Sequence, residues 1–332
     1  MSDIFNPELE SILEGTSRSF YLSLRKLPIS MRPQVSLLYM LARTSDTIAD
    51  SEGDSGELLQ ALESYNEFSQ GKTNSLMDLS PIAESQRNKS EASLLMNVEK
   101  ITAKIGDFPE SDQTAIRRCL GTIIGGQILD LQRFSSDVGK ILSLESDEEL
   151  DDYAYRVAGS VGEFWTRMSL DHIFRLKEEK MEDELFENGI RFGKALQMIN
   201  ILRDIPADLS LGRCYIPRSK LDDHGMTPQD LLEPSSIDSF RPLYDEYLDL
   251  TESHLNSAVK YIEMLPHSKF RLRSACMLPV IIGKRTVSLL RGGNVLDPSD
   301  RIKIDRSEIK EVVKKVVLAT PFKKASMRML RS

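Results

Sequence analysis

The chain has little of what would mark a secreted, zinc-binding or membrane-spanning protein. Its three cysteines, Cys119, Cys214 and Cys276, are far apart and odd in number, which argues against a disulfide framework and for reduced thiols. Four histidines, His172, His224, His254 and His267, are scattered without zinc-ligand spacing. Long apolar runs are missing: Cys276 to Gly283 is interrupted by Pro279 and is too short to cross a bilayer. The opening MSDIFNPELESILEG has no basic region leading into an apolar one, so no secretory leader is expected and the cytoplasm is the expected location. Positive charge is in deficit, with 43 Lys and Arg against 51 Asp and Glu; the net charge of −8 argues against nucleic acid as a partner. Tandem repeats and low-complexity tracts are absent.

What remains is helical. Apolar residues recur at three and four, and sustained period-two alternation is nearly absent. Helices are expected at roughly 7–25, 32–50, 56–70, 88–105, 110–135, 147–176, 182–205, 238–264, 270–291 and 306–318. None of the loops reads as an interdomain linker, so one all-α domain spanning 1–332 is expected. Helices around one core leave a central cavity where their innermost faces carry small or polar groups. Residues 310–332 form a basic amphipathic tail, either a solvated helix with a frayed end or a contact with a membrane surface peripheral to the cytoplasm.

The most informative segment runs from Val35 to Asp50. Tyr39, Arg43, Asp46 and Asp50 are spaced four, three and four, one stripe on a helix otherwise covered by Leu37, Leu38, Leu41 and Ala42. The pattern returns from Gly193 to Asp208, where Gln197, Asn200, Asp204 and Asp208 are spaced three, four and four. Two carboxylates roughly 6 Å apart on one face repel by on the order of 3 kcal/mol at an effective dielectric near 20, so a cation is expected beside them. Oxygen-only donors at this spacing suit Mg²⁺, which takes one or two carboxylates and completes its shell with water and substrate phosphate. A single DxxxD among 51 acidic residues is usually a solvated face; two, each on an apolar helix, point to chemistry. Pro206 should loosen or end the second helix between Asp204 and Asp208.

These residues resemble the squalene/phytoene synthase family. Asp46-Thr-Ile-Ala-Asp50 and Asn200-Ile-Leu-Arg-Asp204-Ile-Pro-Ala-Asp208 resemble its two aspartate motifs. Ser17-Arg-Ser-Phe20, Tyr153 to Gly162 and Gly212-Arg-Cys-Tyr-Ile-Pro217 follow in family order. The resemblance implies one large helical bundle of the isoprenoid synthase type with a central hydrophobic channel. It implies that Asp46, Asp50, Asp204 and Asp208 face each other and, with Asn200, hold Mg²⁺ on prenyl diphosphate substrates. Tyr39, Arg43, Arg203 and Arg213 would contact diphosphate, Gln197 and Asn200 would line the same pocket, and Ser17 and Arg18 would form an entry segment. Tyr153 matches a tyrosine implicated in proton transfer or cation stabilisation. Gly159 and Gly162 would make room for a neighbouring element or for substrate.

The implied reaction is head-to-head condensation of two allylic prenyl diphosphates. The reading leans to two farnesyl diphosphates, joined through presqualene diphosphate and reduced by NADPH to squalene. Dehydrosqualene or phytoene synthesis without reduction is the alternative. Lys303 and Arg306 lie in a basic segment that faintly resembles the cofactor region of squalene synthases, and Lys284, Arg285 and Arg291 add charge nearby in sequence. A terpene cyclase would show DDxxD, whereas Ser45 precedes Asp46. A non-catalytic scaffold relative would be expected to lose its acidic motifs, and all four aspartates are present.

Overall fold

The fold is that of a computed structural model, which describes residues 6–331 apart from 18, 135–139, 177 and 300. The described residues form two compact units: those within Met1–Ser135 together with Arg167–Arg175, and those within Ser136–Thr166 together with Leu176–Ser332. The first contains α1 (Pro7–Ser17), α2 (Ser19–Lys26), α3 (Arg32–Ala49), α4 (Ser55–Ser69), α5 (Ser80–Ser85), α6 (Lys89–Met96), α7 (Val98–Ala103) and α8 (Glu110–Phe134). The second contains β1 (Leu142–Ser143), α9 (Asp147–Ala154), α11 (Glu179–Arg203), α12 (Ile205–Ser210), β2 (Arg213–Cys214) and α13 (Arg218–Asp223). It continues with α14 (Ile237–Met264), α15 (Phe270–Gly292), α16 (Arg306–Ala319) and α17 (Lys323–Arg331), while α10 (Ser160–His172) contributes to both units. The all-α expectation holds. Among the described residues the only sheet is a two-residue parallel ladder that pairs Leu142 with Arg213 and Ser143 with Cys214.

In the first unit α3 starts with Pro33 in its first turn, where a missing N–H costs nothing. It packs Leu37, Leu38, Leu41 and Ile48 inward, each fully or almost fully buried. Tyr65 of α4 is buried against it and donates its hydroxyl to the Leu41 carbonyl at 3.0 Å. Burial of side chains of this size stabilises by roughly 1.5–3 kcal/mol each. Beneath α3, Gln34 donates to buried Asp112 at 2.9 Å, and His172 meets the same carboxylate at 3.0 Å.

In the second unit the helix expected at 147–176 is three segments. Between α9 and α10 the chain makes one wide π turn, Tyr155–Gly159, a feature frequent at functional sites. Directly after it the backbone presses onto α11. A Cβ on Gly162 would lie 2.0 Å from the Gly189 carbonyl oxygen, and one on Gly193 would lie 2.0 Å from that of Ala158. Packing against a neighbouring helix therefore accounts for Gly162, and the same seam contains Gly159, whose added Cβ would touch Tyr155, Ile190 and Lys194. Gly193→Ala is expected to lose about 1–3 kcal/mol of stability by overpacking. Denaturant titration checks this, and an unchanged midpoint would show that the two backbones are not in contact.

The other end of α11 is fixed as well. Buried Tyr244 of α14 donates to the Leu202 carbonyl at 3.0 Å, satisfying one of the acceptors a helix end leaves open. At the end of α14, Arg273 does the same job from the core: it is 2% exposed and donates to the carbonyls of Ile262 and Leu265. Its other nitrogen reaches Met327 Sδ at 3.8 Å, which ties α17 to this point. The tail is thus two packed helices, not a frayed end.

Candidate active site

The first acidic row lies where helical spacing puts it. Arg43 approaches Asp46 at 3.9 Å, and its guanidinium forms an ion pair with Glu91 of α6. Net, Arg43 is held above its ordinary value: burial lowers it, but Glu91 and Asp46 more than compensate. Tyr39 donates its hydroxyl to the Thr16 carbonyl at 3.2 Å, joining the row to the end of α1. Gln127 of α8 donates to Asp46 Oδ1 at 2.6 Å. Asp50 is exposed as the residue that ends α3, its N–H bonded to the Asp46 carbonyl at 2.9 Å.

The Asp46 carboxyl is displaced from its ordinary value. Its side chain keeps 41% of its surface open to solvent, yet the surrounding protein mass and the Asp50 charge push its carboxyl up to about 6. Arg43 and Gln127 offset only part of this. An accessible carboxylate short of positive charge is the environment that admits a hydrated divalent cation.

The second row is neutralised differently. Helix α11 ends at Arg203 and α12 begins at Ile205 with Pro206 in its first turn, so the expected break falls at Asp204. Arg203 forks onto that carboxylate, with Nε to Oδ1 at 3.0 Å and Nη2 to Oδ2 at 2.5 Å, and also donates to Asn200 Oδ1 at 3.2 Å. Arg301 adds a contact from Nη2 to Oδ1 at 2.6 Å. Burial alone would raise the Asp204 carboxyl, but the two guanidinium groups reverse this and hold it below its ordinary value. Gln197 is half-buried on α11, and Asn200 is exposed one turn before Asp204. Asp208 and Arg213 line one recess with Ile201, Ile205 and Tyr215.

Tyr153, in the last turn of α9, stacks on Tyr215 with ring centroids 4.7 Å apart and donates its hydroxyl to the Tyr215 hydroxyl at 3.2 Å. Ser17 is buried, its hydroxyl turned back onto the Leu13 carbonyl, and Arg18 lies outside the described residues. Lys303 and Arg306 are exposed just before and at the start of α16. Lys284 donates to the Leu330 carbonyl at 2.5 Å, Arg285 pairs with Glu308 at 2.7 Å, and Arg291 pairs with Asp249 at 2.7 Å. The three cysteines are buried, and burial pushes the thiols of Cys214 and Cys276 up to about 12, leaving them poor nucleophiles.

Sequence reasoning missed Glu91, Gln127, Arg301 and Tyr215 as parts of these clusters. Tyr215 stands inside the Gly212–Pro217 motif and Arg301 opens the basic segment that runs to Arg306, whereas Glu91 and Gln127 come from distant helices. No three His, Cys, Asp or Glu side chains converge as a metal cage among the described residues. The donor set still fits Mg²⁺, which needs only one or two carboxylates from protein. No helix among the described residues is long and apolar enough to cross a membrane.

The family model for squalene/phytoene synthase matches residues 13–308. Over 263 residues the chain is 28% identical to a bifunctional lycopene cyclase/phytoene synthase of Gibberella fujikuroi, covering 77% of this chain and 43% of that protein. Over 222 residues it is 30% identical to the presqualene diphosphate synthase of Zymomonas mobilis, covering 67% of this chain and 63% of that protein. The chain thus spans less than two thirds of the length of either relative. The structure of TcSQS in complex with the ligand E5700 superposes with a TM-score of 0.78 at 20% identity, covering 98% of this chain and 89% of that one. The fold is accordingly the isoprenoid synthase fold of squalene synthase structures.

Proposed function

The chain belongs to the squalene/phytoene synthase family, and we propose that it performs Mg²⁺-dependent head-to-head condensation of two allylic prenyl diphosphates. The observation that carries this reading is the pairing of carboxylate and guanidinium in each row, Arg43 beside Asp46 at 3.9 Å and Arg203 with Arg301 on Asp204. Asp46 and Asp50 would hold Mg²⁺ in one row, and Asn200, Asp204 and Asp208 in the other. When bound, Mg²⁺ neutralises diphosphate charge and makes it a better leaving group.

The protein's own groups have distinct tasks in this reading. Arg43, Arg203, Arg213 and Arg301 would donate to diphosphate oxygens, where fixed donors stabilise the charge that builds as the C–O bond breaks. Arg203 and Arg301 already neutralise Asp204 and would exchange that carboxylate for phosphate. The stacked Tyr153 and Tyr215 rings present a π face and a phenol pair to the allylic cation, suited to stabilising it or taking its proton. Water must be kept from that cation, which the apolar helix faces beside each row favour.

The product we favour is squalene, from two farnesyl diphosphates through presqualene diphosphate, with NADPH as reductant. Exposed Lys303 and Arg306 would then meet the cofactor's phosphates. Release without reduction, as dehydrosqualene or phytoene, is supported by the phytoene synthase relatives and by the commitment of Lys284, Arg285 and Arg291 to contacts within the chain. Incubation with farnesyl or geranylgeranyl diphosphate and Mg²⁺, with and without NADPH, followed by identification of the hydrocarbon, decides between them. Squalene formed only with NADPH is expected; no diphosphate release from either substrate would end the condensation reading.

A further inference from the structure

The C-terminal helices leave an outer face that is apolar and basic at once. Helix α16 buries Val312 and Val316, and α17 buries Ser326 and Leu330. On the opposite side Leu318 is 72% exposed and Phe322 67% exposed, with Val317 also open. A second exposed phenylalanine, Phe270 at the start of α15, belongs to the same place. His267 donates from Nε2 to the Pro321 carbonyl at 3.1 Å, and its ring stands edge-on to Phe270 with centroids 5.5 Å apart. The two phenylalanines therefore flank one contact.

Charge around this knuckle is mostly positive: Glu311, the one acid on the same face of α16, is paired with Lys315. Helical spacing sets Lys310 and Lys314 on the side of α16 that carries Leu318, and Lys323 and Lys324 follow Phe322 directly. From 312 to 332 the chain has six basic residues, Lys314, Lys315, Lys323, Lys324, Arg328 and Arg331, and no acidic one, in a protein of net charge −8. Two of the six are neutralised locally, Lys315 by Glu311 at 2.7 Å and Arg331 by Glu263 at 2.8 Å.

We propose that this face docks onto an anionic lipid bilayer. Leu318, Phe322 and Phe270 would enter the headgroup boundary, and Lys314, Lys323, Lys324 and Arg328 would meet lipid phosphates. Apolar rings ringed by lysine are the composition that binds such surfaces, each burying area while the cations meet negative surface potential. A second copy of the chain is a poorer occupant, because a two-fold contact lays the same lysines opposite one another. The inference uses none of the residues of the acidic rows and stands apart from the reading of the reaction.

Flotation of the full chain with vesicles tests it. Phosphatidylcholine vesicles containing about a third phosphatidylglycerol are expected to carry the protein up, pure phosphatidylcholine vesicles to carry on the order of tenfold less, and high salt to release it. Phe322→Glu with Leu318→Glu should abolish flotation, and Lys323→Gln with Lys324→Gln should weaken it on the order of tenfold. These side chains are exposed, so melting temperature and diphosphate release from soluble substrate are expected to stay unchanged in both variants. Equal binding to neutral vesicles, no binding to either, or flotation indifferent to the substitutions would overturn the proposal. A concentration-dependent dimer that disappears in the Phe322→Glu, Leu318→Glu protein would reassign the face to a second copy.

Discussion

Asp46→Asn is expected to cost on the order of a thousandfold or more in turnover while making the metal-free protein more stable at pH 8. In the proposed reaction, loss of turnover follows from removal of a charge that would draw Mg²⁺ to the diphosphate. Gain of stability follows from the other state of the same carboxyl. Burial and Asp50 push Asp46 from 3.8 up to about 6, so the folded chain holds this proton more tightly than the unfolded one. That contribution is complete below the unfolded value and is lost as pH rises through about 6. Above it, the folded protein carries an unfavourable anion that asparagine removes. Because 41% of the side chain is open to solvent, screening keeps the gain to about 1 kcal/mol or less. Melting curves of both proteins at pH 5 and pH 8 without metal check the sign: the gap should widen at the higher pH. Added Mg²⁺ should then raise the melting temperature of the wild type more than that of the variant. A variant less stable than wild type at pH 8 would mean that the first row is not short of positive charge.

Asp204→Asn is expected to lose turnover to a similar extent but to shift stability in the opposite direction. Here Arg203 and Arg301 hold the carboxyl below its ordinary value, so its contribution is present above the unfolded value and fades as pH falls through the folded one. The substitution strands Arg203, whose side chain is only 27% exposed, and is expected to destabilise by about 1–3 kcal/mol at pH 7. Arg301, 62% exposed, adds little to that loss. Denaturation at pH 7 and pH 3 separates the two effects, since the difference should shrink toward the acid end. One isosteric change applied to each row would thus give the same kinetic phenotype with stability changes of opposite sign. A shared sign would contradict the electrostatic asymmetry of the rows.

That asymmetry was not legible in the sequence, although the rows themselves were. Tyr39, Arg43, Asp46 and Asp50 could be read from spacing because α3 is one regular helix and its stripe interrupts an apolar surface. The break at Asp204 could be read because Pro206 removes a donor and crowds the preceding turn. What sets the charge state of each row comes from far along the chain. Glu91 reaches Arg43 across 48 positions, Gln127 reaches Asp46 across 81, and Arg301 reaches Asp204 across 97. No local period reports such pairs. The helices at Ser80–Ser85 and Arg218–Asp223 were missed because six residues cannot show a 3.6-residue repeat convincingly. The π turn at Tyr155–Gly159 is a tertiary effect, fitted to the backbone that approaches from α11. Helix α17 reads as an end because its composition is basic, and what lays it on the core comes from distant positions: Arg273 reaching Met327, Lys284 reaching the Leu330 carbonyl and Glu263 pairing with Arg331.

The glycine seam on α11 also sets a rule for redesign. Where two main chains touch through Gly162 and Gly193, neither partner can shrink to accommodate growth in the other, so no compensating pair of substitutions exists there. Directed evolution toward a longer or shorter isoprenoid would have to leave this junction untouched and find its variation elsewhere. The helix that bears Asn200 and precedes Asp204 would then act as a fixed datum from which the rest of the catalytic geometry is measured.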